Sequence, residues 1–454
     1  MPRLFHPPAP SQPICDPARV SAAFAHLQPR ILLWTTVGYG VFYFVRKNLS
    51  AAMPVMESQL GLSKTRLGLI LTLHGLLYGL SKFLNGIVAD RANARVFMAS
   101  ALLASAALNV CFGLSSSLVF FGTFWMLNGW FQGMGYPPCA RLLSHWFPRR
   151  TLATKMAVWN SSHALGGAAI VVLCGYLIAW TDSWRLCFFI PSAIAIAVAV
   201  LLFVNLRDTP ESVGLPDVEA LGGPASTQRT VTQLTNTPPL NPDSAEHFGD
   251  FILRRVFSNP YIWLASAANF FVYTIRFAIF DWGPTLLQQS KGIEIRNAVW
   301  MVASFEFAGL AGILLTGWLT DRFLRGRAAP VCLVSMLLCG VSIFLFWHAP
   351  GSSFWLNTGL LMSAGFFVYG PQALVAVIVV NLATKRAAAT AVGLTSIFGY
   401  ASTILSGWGL GALVQRYDWD HAFACLIGVA AVGALFFAAL LSANTTNREP
   451  NTMT

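Results

Sequence analysis

The sequence predicts an all-α membrane protein of twelve transmembrane helices in two pseudo-symmetric six-helix bundles. Three observations predict it. The 454 residues are 56% apolar and only 10% charged, with a mean hydropathy of +0.61, well outside the composition of soluble globular chains. Apolar runs of about 20 residues, enough to cross roughly 30 Å of hydrocarbon, recur along the whole chain. Two unrelated short motifs reappear in the second half at almost one offset.

The first six runs fall at about 30–53, 67–89, 96–115, 118–145, 153–180 and 185–206, and six more at about 261–287, 297–320, 329–348, 353–383, 388–415 and 421–442. They divide the chain into an N-terminal segment (1–28), a first bundle (29–206), a linker (207–260), a second bundle (261–443) and a tail (444–454). The linker, rich in Pro, Thr, Asn and Asp (TNTPPLNPDSAEHFGD), reads as a solvated connection. Residues 1–28 hold no apolar core, so no cleavable signal is expected ahead of the first run.

Orientation follows from the cations. One set of loops carries Arg91, Arg95, Arg149, Arg150, Lys155, Arg322, Arg325, Arg327, Lys385 and Arg386, while the alternate loops carry Lys64, Arg66, Arg185, Lys291, Arg296 and Arg416. The richer set is expected in the cytoplasm, with both termini and the linker. The formal charge of +11 therefore reports topology and not nucleic-acid binding. The eight cysteines show no CxxC pairing and read as packing residues, not as a metal or disulfide framework.

The halves echo each other. GIVADRANAR, with Gly86, Asp90, Arg91 and Arg95, returns as GWLTDRFLRGR, with Gly317, Asp321, Arg322, Arg325 and Arg327; the aspartates are 321 − 90 = 231 positions apart. Tyr43-x-x-Arg46 before Pro54 returns as Tyr273-x-x-Arg276 before Pro284, with 276 − 46 = 230. A duplicated six-helix unit leaves this trace, and it implies a site between the halves near the midplane. The Gly-x-x-x-Asp-Arg pattern resembles the loop signature of the major facilitator superfamily.

The duplicated arginines lie inside apolar runs. An unpaired Arg at membrane depth costs at least ~2.5–3.5 kcal/mol on insertion scales, so it must face a cavity, a partner or a ligand. Arg46 and Arg276 would come to opposite walls of a central cavity, where a doubly charged oxyanion relieves their repulsion and matches their donor forks. The inferred ligand group is phosphate. Alternatively each Arg pairs with an intramembrane acid; Asp281 and Glu306 are available to Arg276, whereas the first half offers no such acid before Asp90.

Other polar residues are expected to line the cavity. In WNSSHALGG, Trp159, Asn160 and His163 share a helix face, and His163 can donate to phosphate. Tyr39, Tyr43, Tyr78, Tyr136, Tyr273, Tyr369 and Tyr400 sit inside spans, where buried phenols need partners. Lys47 lies about 100° around a helix from Arg46, so both cannot face the axis equally; Lys47 and Lys82 are candidate partners for cavity acids. The glycine faces Gly75-x-x-x-Gly79 and Gly129-x-x-x-Gly133 allow close helix approach, so that the halves can rock. A proton-coupled symporter for an organic acid would need Asp281 or Glu306 as its titrating carboxylate. No Walker-type loop suggests ATP hydrolysis, no cofactor is implied, and no nucleophile and base stand at recognisable spacing, which argues against an enzyme.

Along nearly its whole length the chain is similar to the organophosphate:phosphate antiporter family of the major facilitator superfamily. The matching stretches are GYGVFYFVRKNLSAAMP, LYGLSKFLNGIVADRANAR, LNGWFQGMGYPPCARLLSHWF, WNSSHALGG, RDTPESVGLP, NPYIWL, VYTIRFAIFDWG, FEFAGLAGILLTGWLTDR and GFFVYGPQ. The resemblance implies that Arg46 and Arg276 bind phosphate, that His163 assists, and that the substrates are a sugar phosphate and inorganic phosphate, exchanged across a bacterial inner membrane. Two departures, Ala164 where the family commonly has Asn and Tyr136 where it often has Trp or Ser, bear on the geometry around the site and not on the arginine pair itself. NPYIWL, GFFVYGPQ and SGWGLG most resemble the hexose-phosphate sensor and transporter branch, and the eleventh span lacks the acid and lysine of the dedicated hexose-phosphate carriers. That branch implies an alternative: a membrane receptor for external glucose-6-phosphate that signals to a histidine kinase partner with little transport.

Overall fold

The computed structural model describes residues 6, 8–9, 11–89, 92–218, 256–324, 327–383 and 388–442. Asp90, Arg91, Arg325, Lys385 and Arg386, linker residues 219–255 and the tail lie outside the described residues, as does the side chain of Asp321.

The first half comprises α1 (Pro17–Phe44), α2 (Asn48–Leu60), α3 (Lys64–Ala89), α4 (Ala94–Leu114), α5 (Leu118–Gly133), α6 (Tyr136–Trp146), α7 (Arg149–Thr181) and α8 (Leu186–Asn205). The second comprises α9 (Pro260–Lys291), α10 (Ile295–Phe323), α11 (Ala328–His348), α12 (Phe354–Leu382), α13 (Ala388–Ala401), a π turn (Ile404–Gly409), α14 (Leu410–Arg416) and α15 (Trp419–Leu440). Among the described residues, 10 helical stretches are long and apolar enough to cross a membrane. The broken pairs α1–α2 and α5–α6 complete the twelve crossings.

The local chemistry explains the ends and breaks. Asp16 caps α1 by accepting from Ala18 N at 3.0 Å, with Pro17 opening the helix. The first helix thus begins ahead of the apolar run that opens near residue 30, and its early turns are packed: Val20 and Phe24 are buried and Phe24 packs on Trp146 at 6.1 Å. The expected single span over 118–145 breaks between Gly133 and Tyr136, where Pro137 and Pro138 remove two helical donors. The repeat extends to the helix ends. Gly61 and Gly292, 292 − 61 = 231 positions apart, stop α2 and α9 with φ of 62° and 65°, a left-handed conformation that glycine adopts without strain.

The halves meet closely at the end remote from the two termini. Gly68 of α3 lies against Gly407, Gly411 against the Lys64 carbonyl, and Gly175 of α7 against Val299 of α10, so near that an added Cβ would collide. Polar groups tie the same end. Glu57 pairs with Lys64 and accepts from Gln289 Nε2 at 3.0 Å, while Gln415 accepts from Lys64 N at 2.9 Å. Gly75 and Gly79 pack on Thr403 and Tyr400 of the other half, as a glycine hinge face requires. Gly129 and Gly133 instead pack on His74, Ser81 and Lys82 of α3, inside the first bundle. They fix α5 to α3 and not one half to the other.

Candidate functional site

Arg46 stands where the first crossing is not helical. Between α1 and α2 the Arg46 and Lys47 N–H groups both turn back to the Tyr43 carbonyl, at 3.2 and 2.9 Å. The break leaves the Val45 carbonyl without a helical donor, a costly state at membrane depth. Two asparagines satisfy it: Asn109 Nδ2 donates at 2.9 Å and Asn128 Nδ2 at 2.8 Å. Asn48 opens α2 and donates to Asn109 Oδ1 and to the Cys187 carbonyl, both at 2.9 Å.

This break overturns the helical-wheel expectation for Lys47. Because the backbone turns there, Arg46 and Lys47 line the same small cavity, of about 20 Å3, together with His74, Phe277, Asp281 and Tyr400. Lys47 Nζ reaches across to Asp281 Oδ1 of the second half at 2.5 Å. Beside it, Ser50 Oγ donates to the carbonyls of Phe280 and Asp281 at 2.8 and 2.9 Å. Pro284, four residues beyond Phe280, has no N–H to offer that carbonyl, so Ser50 takes its place.

The two arginines have different company. The Arg46 guanidinium lies over the Tyr78 ring, 4.0 Å from its centroid, and 5.1 Å from that of Tyr43. Arg276, inside unbroken α9, lies 4.6 Å from the Tyr369 centroid and 4.0 Å from Glu306 Oε2, while Tyr369 donates its hydroxyl to Glu306 Oε1. Among the described residues no carboxylate pairs with Arg46. The acid-pairing alternative thus holds loosely for Arg276 and not for Arg46.

Aromatic residues frame the pair. Tyr43 and His163 stack at 6.1 Å, and each lies within electrostatic range of both guanidinium groups. Tyr39 and Tyr136 pack on Trp159 at 4.9 and 5.3 Å, and Trp159 donates to the Thr35 carbonyl at 3.2 Å. Tyr400 packs on Tyr78 at 4.6 Å and on Tyr273 at 6.0 Å, joining the halves. Lys82 Nζ sits 4.3 Å from the Tyr136 centroid, with no ion pair among the described residues. Asn160 is exposed, apart from the buried Trp159 beside it. A cavity of about 800 Å3, lined by Gly79, Lys82, Tyr136, Arg141 and His145, runs from this region to the end that carries the termini.

The described loop-motif residues, Gly86, Arg95, Gly317 and Arg322, contact neither arginine. A Cβ at Gly86 or Gly317 would meet nothing within 4 Å, Arg95 lies 4.9 Å from the Phe203 centroid, and Arg322 is exposed in the last turn of α10. Sequence reasoning missed His74, Asn48, Asn109 and Asn128. The signal was available, because a polar residue in an apolar span is rare without a task. His74 Nδ1 faces the Trp125 carbonyl at 3.0 Å and therefore carries its proton there.

Two six-helix repeats around a polar cavity, closed at one end and open at the other, are the architecture of a secondary transporter. The chain belongs to the major facilitator superfamily, whose description matches residues 35–407. It is 35% identical over 440 residues to the glycerol-3-phosphate transporter of Bacillus subtilis (strain 168), covering 95% of this chain and 96% of that protein. It is 37% identical over 439 residues to the probable hexose phosphate transport protein of Chlamydia trachomatis serovar D, covering 96% and 95%. With the membrane sensor protein UhpC of Escherichia coli (strain K12) it shares 34% over 438 residues, covering 96% and 98%. A crystal structure of a bacterial homolog of the human lysosomal transporter Spinster matches with a TM-score of 0.68 at 18% identity, over 92% of this chain and 96% of that one, a likeness of fold. The chain is thus an integral membrane protein of the organophosphate and sugar-phosphate transporter family, and not an enzyme.

Proposed function

We propose that this protein exchanges a sugar phosphate, hexose-6-phosphate in the first instance, for inorganic phosphate across the bacterial inner membrane by rocker-switch alternating access, with both termini in the cytoplasm. The observation that carries this reading is Arg46, a buried guanidinium with aromatic faces around it and no carboxylate among the described residues. Arg46 and Arg276 together offer ten N–H donors. A phosphate dianion held by both forks removes their mutual repulsion and draws the halves together, with His163 and Tyr43 as further donors. Without an anion between them that repulsion disfavours the intermediate closed at both ends. A ligand lowers this barrier only through such differential affinity. The outcome is obligatory exchange, one phosphate compound inward for another outward.

The glycine contacts of α3 with α13 and α14 supply a seam along which the halves can rock. The sensor reading stays as the second, favoured by the 34% identity to UhpC and by an eleventh crossing without acid or lysine between Val392 and Val414. In it the same cavity binds glucose-6-phosphate and signals to a histidine kinase partner. The test is uptake of labelled phosphate into proteoliposomes preloaded with phosphate, competed with glucose-6-phosphate and glycerol-3-phosphate. Exchange inhibited by hexose phosphate supports the antiporter. Tight binding of hexose phosphate without exchange supports the sensor, and absence of both binding and exchange overturns each.

A further inference from the structure

Three arginines gather at the terminus-bearing end of the first bundle. Arg30 of α1 donates through Nε and Nη2 to Asn205 Oδ1, at 3.1 and 2.6 Å. Arg95 of α4 lies over the Phe203 ring. Arg207, just past α8, donates to the carbonyls of Val204 and Leu206, both at 2.8 Å. Among the described residues none of the three has a carboxylate partner. Asp208, the adjacent acid, is buried and already committed: it pairs with Arg141 at 3.2 Å and accepts from Ala94 N at 2.7 Å. Burial, then the charges of Arg95 and Arg30, hold the Arg207 guanidinium below its usual range.

An arginine that only sets topology needs no neighbours. Here three helices bring like charges together, and the surface beside them is of one kind. Arg30, Leu33 and Val37 fall on one stripe of α1, since residues three and four apart share a helix face. Val200, Phe203 and Val204 form the matching stripe of α8, with Arg207 just beyond, and all five apolar side chains are exposed. The two helices touch there, Gly38 against Leu202.

We propose that Arg30, Arg95 and Arg207 form the headgroup site of an acidic phospholipid whose acyl chains lie along the exposed apolar stripes of α1 and α8. The phosphate takes the donors that the arginines do not spend on the protein, and the apolar stripe distinguishes a lipid from a free anion. The site lies on the membrane-facing surface and is separate from the Arg46–Arg276 pair.

The test is native mass spectrometry of the purified full chain titrated with cardiolipin, with phosphatidylcholine, and with inorganic phosphate at equal phosphorus. Cardiolipin is expected to bind at least tenfold more tightly than phosphatidylcholine. The variant Arg30→Gln/Arg95→Gln/Arg207→Gln should lose that preference, while Arg30→Lys/Arg95→Lys/Arg207→Lys should keep most of it. Equal cardiolipin binding by the glutamine variant overturns the proposal, as does saturation of the same site by inorganic phosphate. If the glutamine variant does not fold, a photoactivatable acidic lipid on the native chain decides: crosslinks at 30–37 and 200–207 support the site, and crosslinks confined elsewhere overturn it.

Discussion

Arg46 and Arg276 occupy matching positions of two repeats, 276 − 46 = 230 residues apart, yet one stands at a broken helix and the other inside a continuous one. At the same offset the neighbours diverge. Lys47 corresponds to Phe277, Asn48 to Ala278 and Ala51 to Asp281, and, at the offset of 231 that Gly61 and Gly292 share, Gly75 corresponds to Glu306. The first repeat has the asparagine that helps to accommodate a break and no acid. The second has both acids and no break. Duplication left the two arginines at matching positions; divergence left Arg46 with no carboxylate partner among the described residues and gave Arg276 a loosely held carboxylate, 4.0 Å away. The Lys47–Asp281 pair, one member from each repeat, then crosses the interface that the proposed exchange opens and closes.

Four substitutions break or sharpen this contrast. The largest effect belongs to the crossing pair. Lys47→Gln strands a buried carboxylate and should cost about 3–5 kcal/mol of stability, read as a fall in melting temperature; the swap Lys47→Asp/Asp281→Lys should recover part of it, and no recovery would mean that the pair itself is not the cause. Next comes Arg46→Lys, which keeps the charge and loses the planar fork. It should cut phosphate exchange by about 100-fold, and near-normal exchange would sink the bidentate argument.

Glu306→Gln acts in the opposite direction. Removing a carboxylate near a bound dianion relieves about 1 kcal/mol even at high dielectric, so phosphate should bind several-fold more tightly; weaker binding would show that Glu306 positions Arg276 instead of competing with the ligand. The smallest effect is Asn109→Leu. Asn128 still caps the Val45 carbonyl, so the loss should be about 1 kcal/mol, seen as a melting temperature lowered by about 2 °C, with Asn109→Leu/Asn128→Leu costing more than the sum of the singles.

Much of this was legible in the sequence, and for identifiable reasons. Apolar runs and a repeated offset define the twelve crossings, because bilayer thickness fixes helix length and duplication preserves spacing. Arg46, Arg276 and His163 stand out because charge and imidazole are rare at membrane depth. Hidden from the sequence was what depends on the backbone leaving the helix between α1 and α2, unlike the α5–α6 break, which Pro137 and Pro138 mark. Nothing in VRKN announces a break at Val45–Lys47; only the assembled bundle brings Asn109 and Asn128 to the Val45 carbonyl. The helical wheel therefore separated Arg46 from Lys47, where the folded chain points both into one cavity. Glycine spacing likewise marks close approach without naming the partner, so Gly129 and Gly133 looked like Gly75 and Gly79 although they pack within one half.

The central claim is that Arg46 and Arg276 hold one phosphate between them, and a double-mutant cycle on exchange tests it most directly. Labelled-phosphate exchange would be measured for Arg46→Lys, Arg276→Lys and the double variant in the same proteoliposomes. If one dianion needs both forks, either single change already forfeits the bidentate site, and the double variant should lose little more than the worse single. Losses that multiply would mean that the two arginines act on separate events, and the shared-phosphate account would be wrong.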